Sequence, residues 1–314
     1  MTVMDEHLAA MVQVAVALLA APLLPGIVNR VKAIAAGRRG SPLLQAWYDI
    51  GKLLGKSAVY SRTTGWIFKA GPVVSLAAFA LCAALIPWAG ARSLLAFDGD
   101  LVLLAGLLAL SRFMTIAAAL DTGSAFEGMG GSREAWYSAL GEPALLLALA
   151  AVARTRSSIS LAGVLGGGGG AQSAFGGAVV ILVAVALFIV FLSENARIPV
   201  DDPNTHLELT MIHEVMVLDH GGIDLAYIQY GASLKLWILG SLVVGLLVPR
   251  TGTWYVDLAA GAVGLGVVAI VTGVVESVMA RLRLVRVPQL LVAALAMSGL
   301  GLALALMGGT GLVE

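Results

Sequence analysis

The chain has one cysteine, Cys82, in 314 residues, and it carries little charge. One thiol closes no internal disulfide and falls short of the roughly four ligands that an iron–sulfur cluster takes. Any redox centre this protein works with therefore belongs to a partner. Cys82 itself sits in an apolar run and reads as a small buried apolar side chain. Charged residues make up 12% of the chain, about half the share usual in a soluble domain. The net charge is zero and the pI near 6.9, which excludes a basic nucleic-acid surface. No basic stretch precedes the first apolar run in Met1–His7, so a cleaved signal peptide is not expected. The chain lacks an internal repeat and a His-x-x-x-His or multi-cysteine pattern. These absences weigh against a secondary transporter built of two halves and against a metal site.

What is present is hydrophobic. Apolar types make up 59% of the residues and the mean hydropathy is +0.94. The pattern predicts an all-α fold: a polytopic membrane bundle of about eight transmembrane helices, forming one integral membrane domain over residues 1–314. The spans run from about Leu8 to Val28 (broken near its end by Pro22 and Pro25), Gly71 to Trp88, Leu101 to Leu120, and Pro143 to Ala153, the last with early turns from near Trp136. The others run from Phe175 to Leu192, Ala226 to Val248, Val256 to Met279 and Leu290 to Met307. The glycine run Gly166–Gly170 falls in a segment that reads as a flexible loop.

Basic residues set the expected orientation. Arg30, Lys32, Arg38, Arg39, Lys52, Lys56, Arg62 and Lys69 lie between the first two spans, Arg133 after the third, Arg197 after the fifth, and Arg281, Arg283 and Arg286 after the seventh. With eight spans these loops share a side, while the other side has Arg92, Arg154, Arg156 and Arg250. The excess of Lys and Arg predicts that the first side is cytoplasmic and that both termini lie outside, in a prokaryotic inner (plasma) membrane.

Ionisable groups in a membrane are costly and ask for a reason. Arg112 falls inside the third span, about two turns from its end, and is expected to face the interior and pair with an acid. Lys235 lies in the sixth span, Glu142 opens the fourth, Glu194 closes the fifth and Glu276 lies near the end of the seventh. Snorkelling of Lys235, and interfacial places for Glu194 and Glu276, are equally compatible with those positions. Two polar segments read as amphipathic surface helices. In the first, Leu43, Leu44, Trp47, Ile50, Leu53 and Leu54 form an apolar stripe with Asp49, Lys52 and Lys56 off it, fit for anionic headgroups or for docking a soluble partner. In the second, Asp202 caps a helix opened by Pro203, with Leu207, Met211, Val215 and Leu218 on one face. Asp201, Asp202, His206, Glu208, His213 and Glu214 crowd this segment. Carboxylates and imidazoles packed at a membrane boundary suit proton handling, because burial and like charge push their pKa values toward neutrality.

Four motifs carry a family resemblance. They are Ser41-Pro42-Leu43-Leu44-Gln45 running on to Asp49 and Lys52; Gly141-Glu142-Pro143; Arg197-Ile198-Pro199-Val200-Asp201-Asp202-Pro203 running on to His206 and through His213-Glu214; and Glu276 with Ala280-Arg281, Arg283, Arg286 and Pro288. In these, and in Gly231–Trp237, the chain resembles the membrane subunit of formate hydrogenlyase and other energy-converting membrane-bound nickel–iron hydrogenases. That family is similar to the eight-helix quinone-site subunit of respiratory complex I. The chain departs from the complex I pattern at Ile198–His206 and lacks the Gly-Pro-Asn-Arg element of its first loop, so a quinone site is not carried over. The resemblance implies a membrane-anchoring, proton-coupling subunit with no cofactor of its own. The nickel–iron centre and iron–sulfur clusters would lie in a large and a small soluble subunit, and antiporter-like subunits would pack alongside in the bilayer. Glu142, Asp201, Asp202, His206, Glu208, His213 and Glu214 would move protons. Arg112, Lys235 and Glu276 would pair charge within the membrane. Arg38, Arg39, Gln45, Asp49, Lys52 and Arg197 would meet the soluble partners. The alternative is the quinone-side subunit of a complex I-like dehydrogenase.

Overall fold

A computed structural model of the chain describes residues 3–90, 92–166, 176–201 and 211–310. Among these it is all helical: α1 Val3–Ala20, α2 Leu23–Ala35, α3 Gln45–Leu54, α4 Trp66–Leu85, α5 Asp100–Asp121, α6 Ala125–Arg156, α7 Leu161–Leu165, α8 Gly176–Glu194, α9 Gly222–Leu247, α10 Trp254–Val278 and α11 Val287–Thr310. Among the described residues seven helices are long and apolar enough to cross a membrane, and the bent pair α1 and α2, taken as one span, makes eight. The bend is 46° and falls at Pro22, which lacks the N–H a continuing helix needs.

Inside lipid, hydrocarbon chains are as apolar as leucine, so close packing and polar contacts hold helices together. The helix α9 is the centre of the bundle: 78% of its apolar window is buried, against 28% for α10 and α11, whose outer faces meet lipid. Close approach needs small residues. At Gly273 of α10, an added Cβ would sit 2.7 Å from the Cβ of Val31 on α2. Trp88, at the end of α4, meets Trp237 of α9 edge to face at 5.1 Å.

The connections from α2 to α4, α5 to α6, α8 to α9 and α10 to α11 share one end of the bundle, here the basic end. The opposite end is closed by side chains bonded to backbone. Arg250 donates to the carbonyls of Trp88 and Pro87, Asp100 accepts from the N–H of Leu161, and Asp257 accepts from the N–H of Thr251.

Three expectations change. The fourth span starts at Ala125, well before Trp136, and α6 has 32 residues. Its first turns are too polar for a hydropathy window, yet they are helical because Glu127, Gly130, Gly131 and Glu134 turn one face into the protein. The loop expected around the glycine run begins with the short helix α7, whose Leu161 and Val164 are fully buried. The amphipathic helix expected from Pro203 is not an α-helix over its described part from Met211 onward. The chain there makes one 3₁₀ turn, Glu214–Val217, with Ile212 and Val215 fully buried in protein. Asp202, Pro203, His206, Leu207 and Glu208 lie outside the described residues.

Candidate functional site: a buried chain of ion pairs

Arg112 is the hub. It projects from α5 into the bundle, 8% exposed, and meets three carboxylates. Its Nε lies 3.2 Å from Glu134 Oε1, one terminal nitrogen contacts Glu142, and the other lies 2.6 Å from Glu194 Oε1. Glu194 shares its second oxygen with Lys235 Nζ at 2.8 Å. Glu134 turns its second oxygen to His213 Nε2 at 3.1 Å. The other ring nitrogen of His213 lies 3.5 Å from Asp201 Oδ2, and Arg281 lies 2.9 Å from Asp201 Oδ1. The result is a chain of alternating charge, Lys235–Glu194–Arg112–Glu134–His213–Asp201–Arg281, with Glu142 as a side branch. Each buried charge has an opposite charge beside it, which is what makes its removal from water tolerable.

Local structure sets each member. Arg112 and Glu134 both lie about two turns from the α5–α6 connection, which brings them to the same height. Glu194 ends α8. Asp201 holds the far side of the α8–α9 connection by accepting from the N–H groups of Ile212 and His213, both at 3.1 Å. Arg133 donates to the carbonyl of Met211. Burial drives the His213 pKa down, but Glu134 and then Asp201 outweigh it and raise it to about 10. Burial raises the Asp201 carboxyl and His213 pulls it back further, so it stays below the usual carboxylate range.

Glu142 differs from its neighbours: 41% of its side chain is exposed. Arg112 covers one side of this carboxylate and the other side is open to water or a neighbouring protein.

Glu276 belongs to a second cluster. Its side chain is fully buried, with Lys32 Nζ at 2.7 Å and Arg197 at 3.4 Å. It ties α10 to α2 and to the start of the α8–α9 connection.

A chamber of about 700 Å³ opens beside the main chain of charges. Arg112, Glu134, Glu194, His213 and Lys235 form one wall. Gln45, Asp49 and Ile50 of α3 and Phe79 of α4 are among its other lining residues. Gln45 donates to Asp49 at 2.8 Å, so this polar pair of α3 borders the chamber. Glu214, Arg197 and His220 also line it. Arg38, Arg39 and Lys52 are exposed at the basic end.

Sequence reading missed Glu134, the residue that joins Arg112 to His213. The signal was present. Continuing the helix backwards from Pro143 puts Glu127, Glu134 and Glu142 at spacings of seven and eight, along one stripe. Lys32 was counted as a loop cation and is the partner of Glu276. Among the described residues no group of His, Cys, Asp or Glu is arranged to hold a metal ion.

The NADH dehydrogenase family pattern matches residues 8–307. Formate hydrogenlyase subunit 4 of Escherichia coli (strain K12) is 31% identical over 287 residues, covering 89% of this chain and 92% of that protein. Hydrogenase-4 component C of the same organism is 32% identical over 250 residues, covering 79% and 78%. Among solved structures, a chain of the membrane-bound sulfane sulfur reductase, an archaeal respiratory membrane complex, superposes with a TM-score of 0.81 over 96% of this chain and 99% of that one, at 21% identity.

Proposed function

This chain belongs to the NADH dehydrogenase family, and on that premise we propose that it is the membrane-anchoring and proton-coupling subunit of a membrane-bound nickel–iron hydrogenase complex. The observation that carries the reading is the continuous run of buried, alternating charges from Lys235 to Arg281. A proton taken up by one carboxylate weakens its hold on the next cation, and that cation then leans toward its other partner. Charge is thereby passed along the run without any group standing alone in low dielectric. Two openings serve it: the chamber, next to His213 and Glu134, and the exposed side of Glu142. His213 and Asp201 form the link toward the basic end, with Asp202, His206 and Glu208 in the connection between them.

In this reading the basic end faces the cytoplasm of a prokaryotic cell. Arg38, Arg39 and Lys52 meet a large nickel–iron subunit and a small iron–sulfur subunit, which hold the metals. Antiporter-like membrane subunits cover the α6 face that bears Glu142. Purification of the tagged chain from its own membrane in mild detergent, with mass spectrometry and metal analysis, tests this. Nickel, iron and a large subunit with paired Cys-x-x-Cys motifs are expected. A metal-free, solitary chain would refute the proposal.

The chamber supports a second reading, a quinone-side subunit of a complex I-like dehydrogenase, since it is amphipathic and borders α3. Photo-crosslinking of a quinone analogue to residues 45–50, together with co-purified flavin and no nickel, would favour that reading.

A further inference from the structure

The relay just proposed uses one end of the segment between α8 and α9. The other end holds a second histidine. His220 is 6% exposed, lines the chamber and stacks face to face on Phe68 of α4, with ring centroids 3.9 Å apart and planes 6° from parallel. Its Nδ1 is buried without a hydrogen-bond partner. Tyr60 sits edge-on to the same Phe68 at 6.3 Å, and Lys69 lies over Tyr60. Two residues on, Gly222 adopts φ +57, and a Cβ there would lie 2.4 Å from the carbonyl oxygen of Ser57. Two contacts thus fasten the end of the α8–α9 segment to the connector between α3 and α4 and to the first turn of α4: the ring stack on Phe68 and the close approach of Gly222 to Ser57.

We propose that His220 is a positioning residue: neutral, it latches the α8–α9 segment to the start of α4 and so fixes His213 between Glu134 and Asp201; protonated, it releases the segment.

The physical reason is the unpartnered nitrogen. The neutral ring can leave Nδ1 as an empty acceptor against protein. The cation must place an N–H there, and a buried donor without an acceptor is costly. The charged groups facing the ring are Asp219 on its own segment and Asp224 at the start of α9. Neither bonds to Nδ1 in the latched state, but Asp224 keeps a buried oxygen, Oδ2, without a partner. The cation would turn toward that oxygen and leave Phe68. Burial holds the imidazole pKa below its usual value, with Asp224 and Asp219 opposing only in part. The sign follows from that depression. The latch is at full strength above the ordinary histidine pKa. It weakens as pH falls toward the depressed value, by up to about tenfold for each pH unit in that window.

The connection to His213 as a relay residue rests on the function proposed above; the latch itself does not. Hydrogen exchange of the full chain in its native complex, between pH 5 and 8 and corrected for intrinsic rate, reads the latch directly. Amides of residues 214–222 and 57–68 are expected to lose protection on acidification by about tenfold over the last unit. In His220→Phe, which keeps a ring on Phe68 and cannot be protonated, protection should stay constant with pH. His220→Gln, without a stacking ring, should be unprotected throughout. Wild-type protection that does not change with pH, or an equal change in His220→Phe, overturns the latch. A latch that behaves as described beside a Glu134→Gln complex with unchanged coupling would instead count against the relay alone.

Discussion

Replacing Arg112 with methionine is the sharpest test of the charge chain. The guanidinium is the cation that Glu134, Glu142 and Glu194 share. Removing one partner of a buried pair costs about 3–5 kcal/mol, because the other charge is left uncompensated. Here the loss is cushioned. Glu194 keeps Lys235 at 2.8 Å and Glu134 keeps His213 at 3.1 Å. Glu142 is 41% exposed and so is the least desolvated of the three. The expected cost therefore lies toward the lower end of that range. Taking about 2 °C per kcal/mol for a chain of this size, the thermal midpoint in detergent should fall by roughly 6–8 °C. The second half of the test is a cycle. In Arg112→Met with Glu194→Gln, the combined loss should be smaller than the sum of the single losses, because the Arg112–Glu194 contact at 2.6 Å is removed only once. If the two substitutions simply add, the groups are not coupled and the reasoning from a continuous chain fails.

Glu134→Gln and Glu142→Gln should both depress proton-coupled turnover in the intact complex while co-purification with partners stays near wild type; unchanged coupling in either marks that residue as structural. His213 carries a raised pKa of about 10, so the stability it contributes is complete below its ordinary value of about 6.5 and is lost as pH rises through about 10. Thermal midpoints between pH 8 and 10.5 should therefore fall more steeply for wild type than for His213→Gln; parallel curves would refute the pairing. Gly273→Ala drives a methyl group to 2.7 Å from Val31 and should cost about 1–3 kcal/mol. Gly266→Ala, whose Cβ meets nothing within 4 Å, should be stable by the same thermal assay.

The spanning helices were legible because an apolar run of spanning length has few alternatives in lipid. Even the break at Pro22 was visible. The first turns of α6 were not, since their helix is justified by one buried face rather than by composition. For the same reason Glu134 escaped notice: a hydropathy window averages away a single buried acid. Arg112, Glu142 and Lys235 stood out because charge in an apolar run is conspicuous. Their partners could not be assigned from spacing, because contacts such as Arg281 to Asp201 join residues 80 positions apart. The segment around His213 read as a surface helix because its apolar residues repeat at helical spacing. Ile212 and Val215 bury themselves in protein instead, a choice set by tertiary packing rather than local pattern.

The central helix has an electrical consequence. Beyond Lys235, α9 runs from Leu236 to its end at Leu247 without an ionisable side chain, a dry layer of roughly 18 Å. A transmembrane voltage drops mainly across such insulating material, and carrying a whole charge through it costs about 2.3 kcal/mol per 100 mV. The ion-pair chain lies to one side of that layer. Charge shared between Lys235 and Arg281 stays on that side and does not cross the layer.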